Sequence, residues 1–407
     1  MSELVIKEFY GKDVLRYKQI CTKLFRIPNK ELENEEAYTE NLINADKNRD
    51  KDFVRLGAFY EDTLYAAIEM IPFDVYMDGE KCRMYGIGGV VSDPECPVKG
   101  AVKLIYSRAF EIMREKNIYL SHLYPFEVNY YRQYGYEVSC QYALWKIPLT
   151  AVNPYKNGQL KSFDNSEMMK NEIKDIYNKF ASEHNMTIIR NESQWNDFFK
   201  DHAAYTSQWF SYIHYTDGIA DAFMCYKTVE KPDRPMDLET DKFWFTSFEG
   251  LRGILSYFLQ QKSYAENIII KLPVNTDLSA IIDSCGGWGK KNASQTIFDN
   301  GTSKIIDVQQ FFKHMKCKEN GTVSIKINDA YCPWNNDCFK VTFGEETSIE
   351  RGGTADIELD IKSFTSLMLG RYDFDSCRIF PDVKIFGNEE NLRKLLRKKS
   401  CWIEEHF

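Results

Sequence analysis

The sequence predicts an α/β (α+β) protein of three consecutive parts, residues 1–150, 151–300 and 301–407. At 407 residues the chain is too long for one ordinary domain, and about 150 residues per domain gives two or three. Strand-period and helix-period apolar patterns alternate through the first part, and the same order returns at low sequence similarity in the second. The third part changes to short strands and helices in a different order.

The elements follow in order. Val5–Phe9 reads as a strand, and Val14, Tyr17, Cys21 and Leu24 then recur at helical spacing. Phe53–Tyr60 and Thr63–Ile71 form a strand pair around Glu61-Asp62. After a turn at Asp78-Gly79, the strand Met84–Val91 carries Gly86, Gly88 and Gly89. A loop, Ser92–Lys99, leads into a helix whose apolar face is Val102, Ile105, Tyr106, Ala109, Phe110 and Met113. Ile118–Tyr124 is a strand, Asn129–Tyr134 a short helix ended by Gly135, and Tyr136–Ile147 a last strand. Pro148–Phe163, with Pro148, Pro154 and Gly158, reads as a linker.

In the second part Met168–Phe180 is helical, and Trp209–Tyr215 and Ile219–Val229 make a hairpin about Asp217-Gly218. Lys242–Ser247 is a strand, Leu251–Gln260 a helix and Asn267–Leu272 a strand, and Gly286-Gly287 with the polar stretch to Gln295 mark a second boundary. In the third part Asp307 caps a helix with Val308, Phe311, Phe312 and Met315 facing inward. Val323–Ile327, Cys338–Phe343 and Ala355–Ile361 are strands, and Ser363–Leu369 and Asn388–Lys399 are helices. Asn388 is read as the N-cap of the last one, with Arg397, Lys398 and Lys399 at the negative end of its dipole.

Composition narrows the function. Hydrophobic residues make up 43% and charged residues 28%, as in soluble globular proteins. The net charge of −8 leaves no basic excess to neutralise phosphates, which argues against nucleic acid as main partner and suits a cationic small molecule. Met1–Tyr10 alternates polar and apolar residues, so no signal peptide is expected, and no run approaches the roughly 20 apolar residues that cross a membrane. The eleven cysteines include no CxxC, and Cys332 and Cys338 have no histidine nearby in sequence. No metal is therefore expected, and the thiols read as reduced in a cytoplasmic protein.

The chemistry is carried by an order: glycine-bearing strand, loop with Gly100, amphipathic helix, strand, Tyr-rich short helix. A loop entering a helix N-terminus presents free backbone N–H groups that favour an anion such as a pyrophosphate. Gly88 and Gly89 either leave room for a thin ligand against the backbone or mark a bulge.

Gly89-Val90-Val91-Ser92-Asp93-Pro94, then Gly100, then Asn129-Tyr130-Tyr131-Arg132-Gln133-Tyr134-Gly135-Tyr136 together resemble the GNAT acetyltransferase superfamily. The resemblance implies that Val90, Val91 and Ser92 contact the pantetheine arm of acetyl-CoA. It implies further that Val98, Lys99, Gly100 and Ala101 form the pyrophosphate loop and that Tyr131 is the general acid. Beyond the first part, Ile305–Val308, Val323–Asp329, Trp334-Asn335, Ala355–Asp360 and the end at Phe407 resemble the sterol-carrier-like tail of the Eis (enhanced intracellular survival) family. The implied fold is a catalytic GNAT domain, a degenerate GNAT-like middle domain and a sterol-carrier-like domain. The implied function is acetyl transfer to a primary amine of an aminoglycoside, polyamine or lysine-type acceptor, by direct attack in a ternary complex. The same resemblance implies a homo-hexamer and a Phe407 carboxylate that enters the active site as base.

One stretch departs from the family. The pattern Arg/Gln-x-x-Gly-x-Gly/Ala meets Pro97-Val98-Lys99-Gly100-Ala101-Val102, where only Gly100 is in register and Pro97 has no N–H to give. A second reading is therefore a GNAT-like binding or regulatory protein. A third takes the tail as a lipid carrier, against which stand its short strands interrupted by Asn335, Asn336 and Asp337. Glu404 and Glu405 read as solvated surface or as the rim of an acidic substrate mouth, and His122 and His406 as structural or proton-handling.

Overall fold

The computed structural model describes residues 4–47, 49–232, 234–284 and 292–407; Gly286 and Gly287, read as a boundary, lie outside the described residues. In the first sheet β1 (Val5–Glu8), β2 (Val54–Tyr60), β3 (Thr63–Met77) and β4 (Glu80–Ser92) are antiparallel neighbours, and β5 (Leu120–Leu123) joins β4 in parallel. Both hairpin turns sit where the sequence places them: Glu61, Asp62, Asp78 and Gly79 all have positive φ, the mirror-type turn that suits the strand twist.

α1 (Lys12–Phe25) and α2 (Glu35–Asp46) bury Val14, Tyr17, Ile20, Tyr38 and Leu42 against one face. α3 (Ala101–Glu115) buries Ile105, Tyr106, Ala109, Phe110 and Met113 against the other, the stripe its periodicity predicts. α4 (Val128–Arg132) is followed by Gly135 at φ +89, and β6 (Glu137–Val138) ends the sheet.

At this edge the sequence reading needs correction. Tyr136–Ile147 is two strands, because β6 stops at Val138 and β7 (Gln141–Pro148) belongs to the second sheet. Into the first sheet, between β5 and β6, runs the strand Thr302–Ile305. The break falls at Ser139-Cys140. Ser139 Oγ pairs with Ser303 Oγ at 2.7 Å, and Cys140 O accepts from Asn300 N at 2.8 Å. Those partners are remote in sequence, so an unbroken apolar alternation conceals the switch.

The second sheet repeats the plan, with Arg234–Phe245 joined in parallel by Ala265–Pro273 and the Asp217-Gly218 hairpin formed as expected. Gln159–Ser162, read as linker, is its edge strand. The third part is a five-stranded sheet with the helices Val308–His314, Ile361–Met368 and Glu389–Leu395. Asp307 caps the first of these, accepting from Gln310 N at 2.9 Å. Asn388 does not cap the last. It is left-handed (φ 55), its amide donates to Thr322 O and Asp356, and the helix stops at Leu395, short of Arg397–Lys399.

The feature that shapes the site is a bulge. Ala67 opposes Val91 but Glu69 opposes Gly88, so β4 carries one extra residue at Gly89-Val90. Gly89 has φ +55, and a Cβ there would stand 1.6 Å from Tyr17 Oη, which donates to Gly89 O at 3.2 Å. Gly89→Ala is expected to cost at least about 2–3 kcal/mol, combining left-handed strain with a displaced Tyr17. Gly79→Ala, at φ +82 with open space around it, should cost only about 1 kcal/mol. Chemical denaturation of both variants checks this, and equal losses would contradict it.

Candidate active site

β4 and β5 pair only at Met84↔Leu120, Tyr85↔Ser121 and Gly86↔His122. Beyond Gly86 they part, and β4 runs on through its bulge to Ser92 with that backbone edge released from β5. Gly86 and Gly88 face away from α3, since Ile87 between them packs beneath it.

Phe407 fills this wedge. The Phe407 ring lies 4.8 Å from Phe73, 5.3 Å from Tyr124 and 6.1 Å from His122, centroid to centroid. A Cβ on Gly86 would stand 2.5 Å from the ring, and one on Gly88 would stand 3.4 Å from the carboxyl carbon. Of the three strand glycines, Gly86 therefore makes room for the ring, Gly88 for the carboxyl group and Gly89 for Tyr17.

The tail is tied along its length. Asn185 N donates to Ser400 O and Trp402 N to Asn185 O, both at 2.8 Å. Thr187 Oγ1 donates to Trp402 O (2.8 Å), Asn300 Nδ2 to Ile403 O (2.6 Å) and Tyr124 Oη to Glu405 O (2.6 Å). Glu404 and Glu405 are half-buried and not solvated surface. Trp244 Nε1 donates to Glu404 at 3.0 Å and Arg190 to Glu405 at 2.9 Å, partners 160 and 215 residues away in sequence. That separation hides their burial from a local reading.

Tyr131 is buried with its ring edge-on to Tyr106, Phe126, Tyr130 and Tyr136 on the α3 side. Burial, then the neighbouring Tyr130, pushes its hydroxyl above the ordinary phenol range, so it stays protonated. No ring contact joins it to Phe407 among the described residues: the two flank the parting strands from opposite faces.

Of the other predicted positions, Val90 is half-buried, Ser92 exposed, and the Val91 side chain buried with Tyr17, which leaves only its backbone for a ligand. Val98 is half-buried, Lys99 and Gly100 are exposed, and Ala101 opens α3. Gly100 (φ +86) is the N-cap residue and offers no side-chain cap, so the first N–H groups of α3 remain available to an anion despite Pro97 upstream. The loop before it is pinned by buried Asp93, which accepts from Arg16 at 2.6 Å and from Glu95 N at 3.1 Å.

Local sequence does not point to Gly86, Phe73, Tyr124, Arg190 or Asn300 as site residues, because each acts through the far end of the chain. No metal is expected from the sequence, yet among the described residues one set of donors converges, His202, Cys225 and Asp241, within 4.8 Å of one another. There His202 Nε2 and Asp241 Oδ2 already share a hydrogen bond at 2.8 Å, and Lys242 Nζ lies 3.4 Å from the other Asp241 oxygen.

His122 is wholly buried, with Nδ1 bonded to Ser303 Oγ at 2.8 Å and Nε2 without a partner. Burial, then the charge of His406, pushes its pKa down to about 3; burial, opposed by the bond to Phe180 O, takes His184 to about 4. Unfolded, each takes up a proton near pH 6.5 that the fold refuses, so stability is full above that pH and is lost as pH falls toward the folded values. At pH 5 each should cost roughly 2 kcal/mol. Melting curves are expected to show His122→Asn losing less stability than the wild type between pH 7 and pH 5; an unchanged slope would contradict the buried neutral ring.

Residues 7–139 match the acetyltransferase (GNAT) domain family, and residues 308–404 match the sterol carrier protein domain family. Comparison with curated proteins gave no sequence match. Solved structures align over the whole chain. A conserved protein of unknown function from Enterococcus faecalis V583, described as a probable N-acyltransferase, is 22% identical with a TM-score of 0.80 and 100% of each chain covered. A GCN5-related N-acetyltransferase from Anabaena variabilis is 16% identical with a TM-score of 0.81, and Eis1 from Mycobacterium abscessus 14% identical with 0.79, again with 100% of each chain covered. At such identities the likeness speaks for the fold. The chain thus carries a GNAT acetyltransferase domain in front, a second GNAT-like fold in the middle and a sterol carrier protein domain behind, in an Eis-like arrangement.

Proposed function

We propose that the protein transfers the acetyl group of acetyl-CoA to a primary amine, of an aminoglycoside, polyamine or lysine-type acceptor, by direct attack in a ternary complex. The observation that carries this reading is the seating of Phe407 on Gly86 and Gly88 where β4 and β5 part, within a domain that matches GNAT acetyltransferases. In support, the segment before Phe407 is tied by five hydrogen bonds to its backbone, two with backbone partners and three from the side chains of Thr187, Asn300 and Tyr124.

In this reading Val98, Lys99, Gly100 and Ala101 hold the pyrophosphate at the start of α3, with exposed Lys103 adding charge. The backbone of Val90, Val91 and Ser92 receives the pantetheine arm, and N–H groups released by the bulge stabilise the tetrahedral oxyanion. The Phe407 carboxylate holds the cationic amine and takes its proton. Tyr131, kept neutral by burial, returns a proton to the departing thiolate. The dry surroundings that weaken the phenol as an acid also strengthen the thiolate as a base, so the two remain matched.

By the same family resemblance the protein works as a homo-hexamer in the cytoplasm; no described helix is long and apolar enough to cross a membrane. The second reading, a GNAT-like binding or regulatory protein, is favoured by one observation, Pro97 in the pyrophosphate loop. A thermal-shift titration with acetyl-CoA decides between them: stabilisation of the wild type is expected, and none would favour the second. Tyr131→Phe should keep that stabilisation while turnover falls about 10²–10⁴-fold. Unchanged turnover would exclude the general-acid role.

A further inference from the structure

The middle domain has a wedge of its own. Its strands Arg234–Phe245 and Ala265–Pro273 pair in parallel from Met236↔Ala265 to Glu239↔Ile269 and then part, as β4 and β5 do. Glu404 lies at this opening. Trp244 Nε1 donates to both its carboxylate oxygens, and the charges of Lys242 on one strand and Lys271 on the other act on it. The tail therefore crosses two wedges in succession, Glu404 at the second sheet and Phe407 at the first.

Arg190 closes the grip. Its guanidinium sits 4.2–5.1 Å from the ring centroids of Tyr177, Trp195, Phe198 and Trp244. It pairs with Glu405 at 2.9 Å and approaches Glu404 at 3.7 Å. The four rings pack about the guanidinium while its Nε and one terminal nitrogen both reach Glu405 Oε1. Buried Trp402 and Ile403 already supply apolar anchorage, and a buried ion pair adds little stability to that. What it adds is register. A slip of the tail by one residue would bring His406 to Arg190 and leave buried charges unmatched, and every ångström of slip at Glu405 is transmitted to a carboxylate two residues on.

We infer that the middle domain is the receptor for the Glu404–Glu405 pair, with Arg190 as a positioning residue that fixes where the Phe407 carboxylate stands over Gly88. The inference rests on the reading of Phe407 as base. It is tested on the full-length chain with Arg190→Lys, Glu404→Gln and the paired Arg190→Met/Glu405→Gln, which removes both members of the 2.9 Å pair and leaves Glu404 its bonds from Trp244. The readouts are release of Phe407 by carboxypeptidase A from the native protein, and steady-state transfer from acetyl-CoA to neomycin, spermidine and Nα-acetyl-lysine. In the paired variant Phe407 should be released at least about tenfold faster. Turnover should fall about 10–100-fold while KM for acetyl-CoA stays within about twofold, because a carboxylate misplaced by an ångström is out of reach while the coenzyme's contacts are untouched. Arg190→Lys, which keeps the charge and loses the fork, should fall between. Unchanged Phe407 release in all three variants overturns the clamp, as does a rise in KM for acetyl-CoA that parallels the loss of turnover. Faster release with wild-type turnover leaves the clamp standing and overturns the base reading of Phe407, so the two failures are distinguishable. Should the paired variant not fold, Arg190→Lys with wild-type release and turnover overturns the inference by itself.

Discussion

The ring of Phe407 stands 2.5 Å from where a Cβ on Gly86 would be, and its carboxyl carbon 3.4 Å from where one on Gly88 would be. Both positions lie where β4 loses β5 as a partner, at Gly86↔His122. A sheet opened along one edge exposes backbone that must find other partners or a ligand. Here the opening is filled by Phe407, while Tyr131 packs in the core cluster under α3 on the other face of the sheet. The bulge at Gly89 is the third part of this arrangement. It turns β4 away while Tyr17 holds the turned carbonyl.

The rest of the molecule makes that contact reproducible. The strand Thr302–Ile305, just before the residues that match the sterol carrier family, lies inside the first sheet between β5 and β6. Buried Lys304 pairs with Asp329 at 2.8 Å and stands 2.4 Å from where a Cβ on Gly135 would be, just past the helix that carries Tyr131. Asn300, just before that strand, donates its backbone N–H to Cys140 O at the switch and its side-chain amide to Ile403 O. The C-terminal domain thus reaches both sides of the wedge, at Gly135 by a buried ion pair and at Gly86 by the tail. Removing one member of such a pair is strongly destabilising, because the other is left charged in a dry interior.

Much of this was legible in the sequence where the signal is local. The stripe of α3, the turns at Asp78-Gly79 and Asp217-Gly218 and the Asp307 cap depend on neighbours three or four residues away, and all formed as read. Motif and layout single out Tyr131, Gly100 and Phe407 as candidates, whose roles stay proposals. What stayed hidden depends on remote partners: the strand switch at Ser139-Cys140, the insertion of Thr302–Ile305, the side-chain use of Asn388 by Thr322 and Asp356, and the burial of Glu404 and Glu405. The strand glycines show the limit most plainly. Composition left ligand space and bulge as alternatives, and only the fold reveals that each faces a different group, two of them on Phe407.

The central claim is that the position of the terminal carboxylate, and not merely the docking of the tail, matters. Appending one glycine after Phe407 displaces the carboxylate by up to about 3.8 Å while leaving the ring on Gly86 and the upstream ties in place. Near wild-type melting temperature together with acetyl transfer reduced at least about 100-fold is the expected result. Transfer at the wild-type rate by the extended chain would contradict the claim.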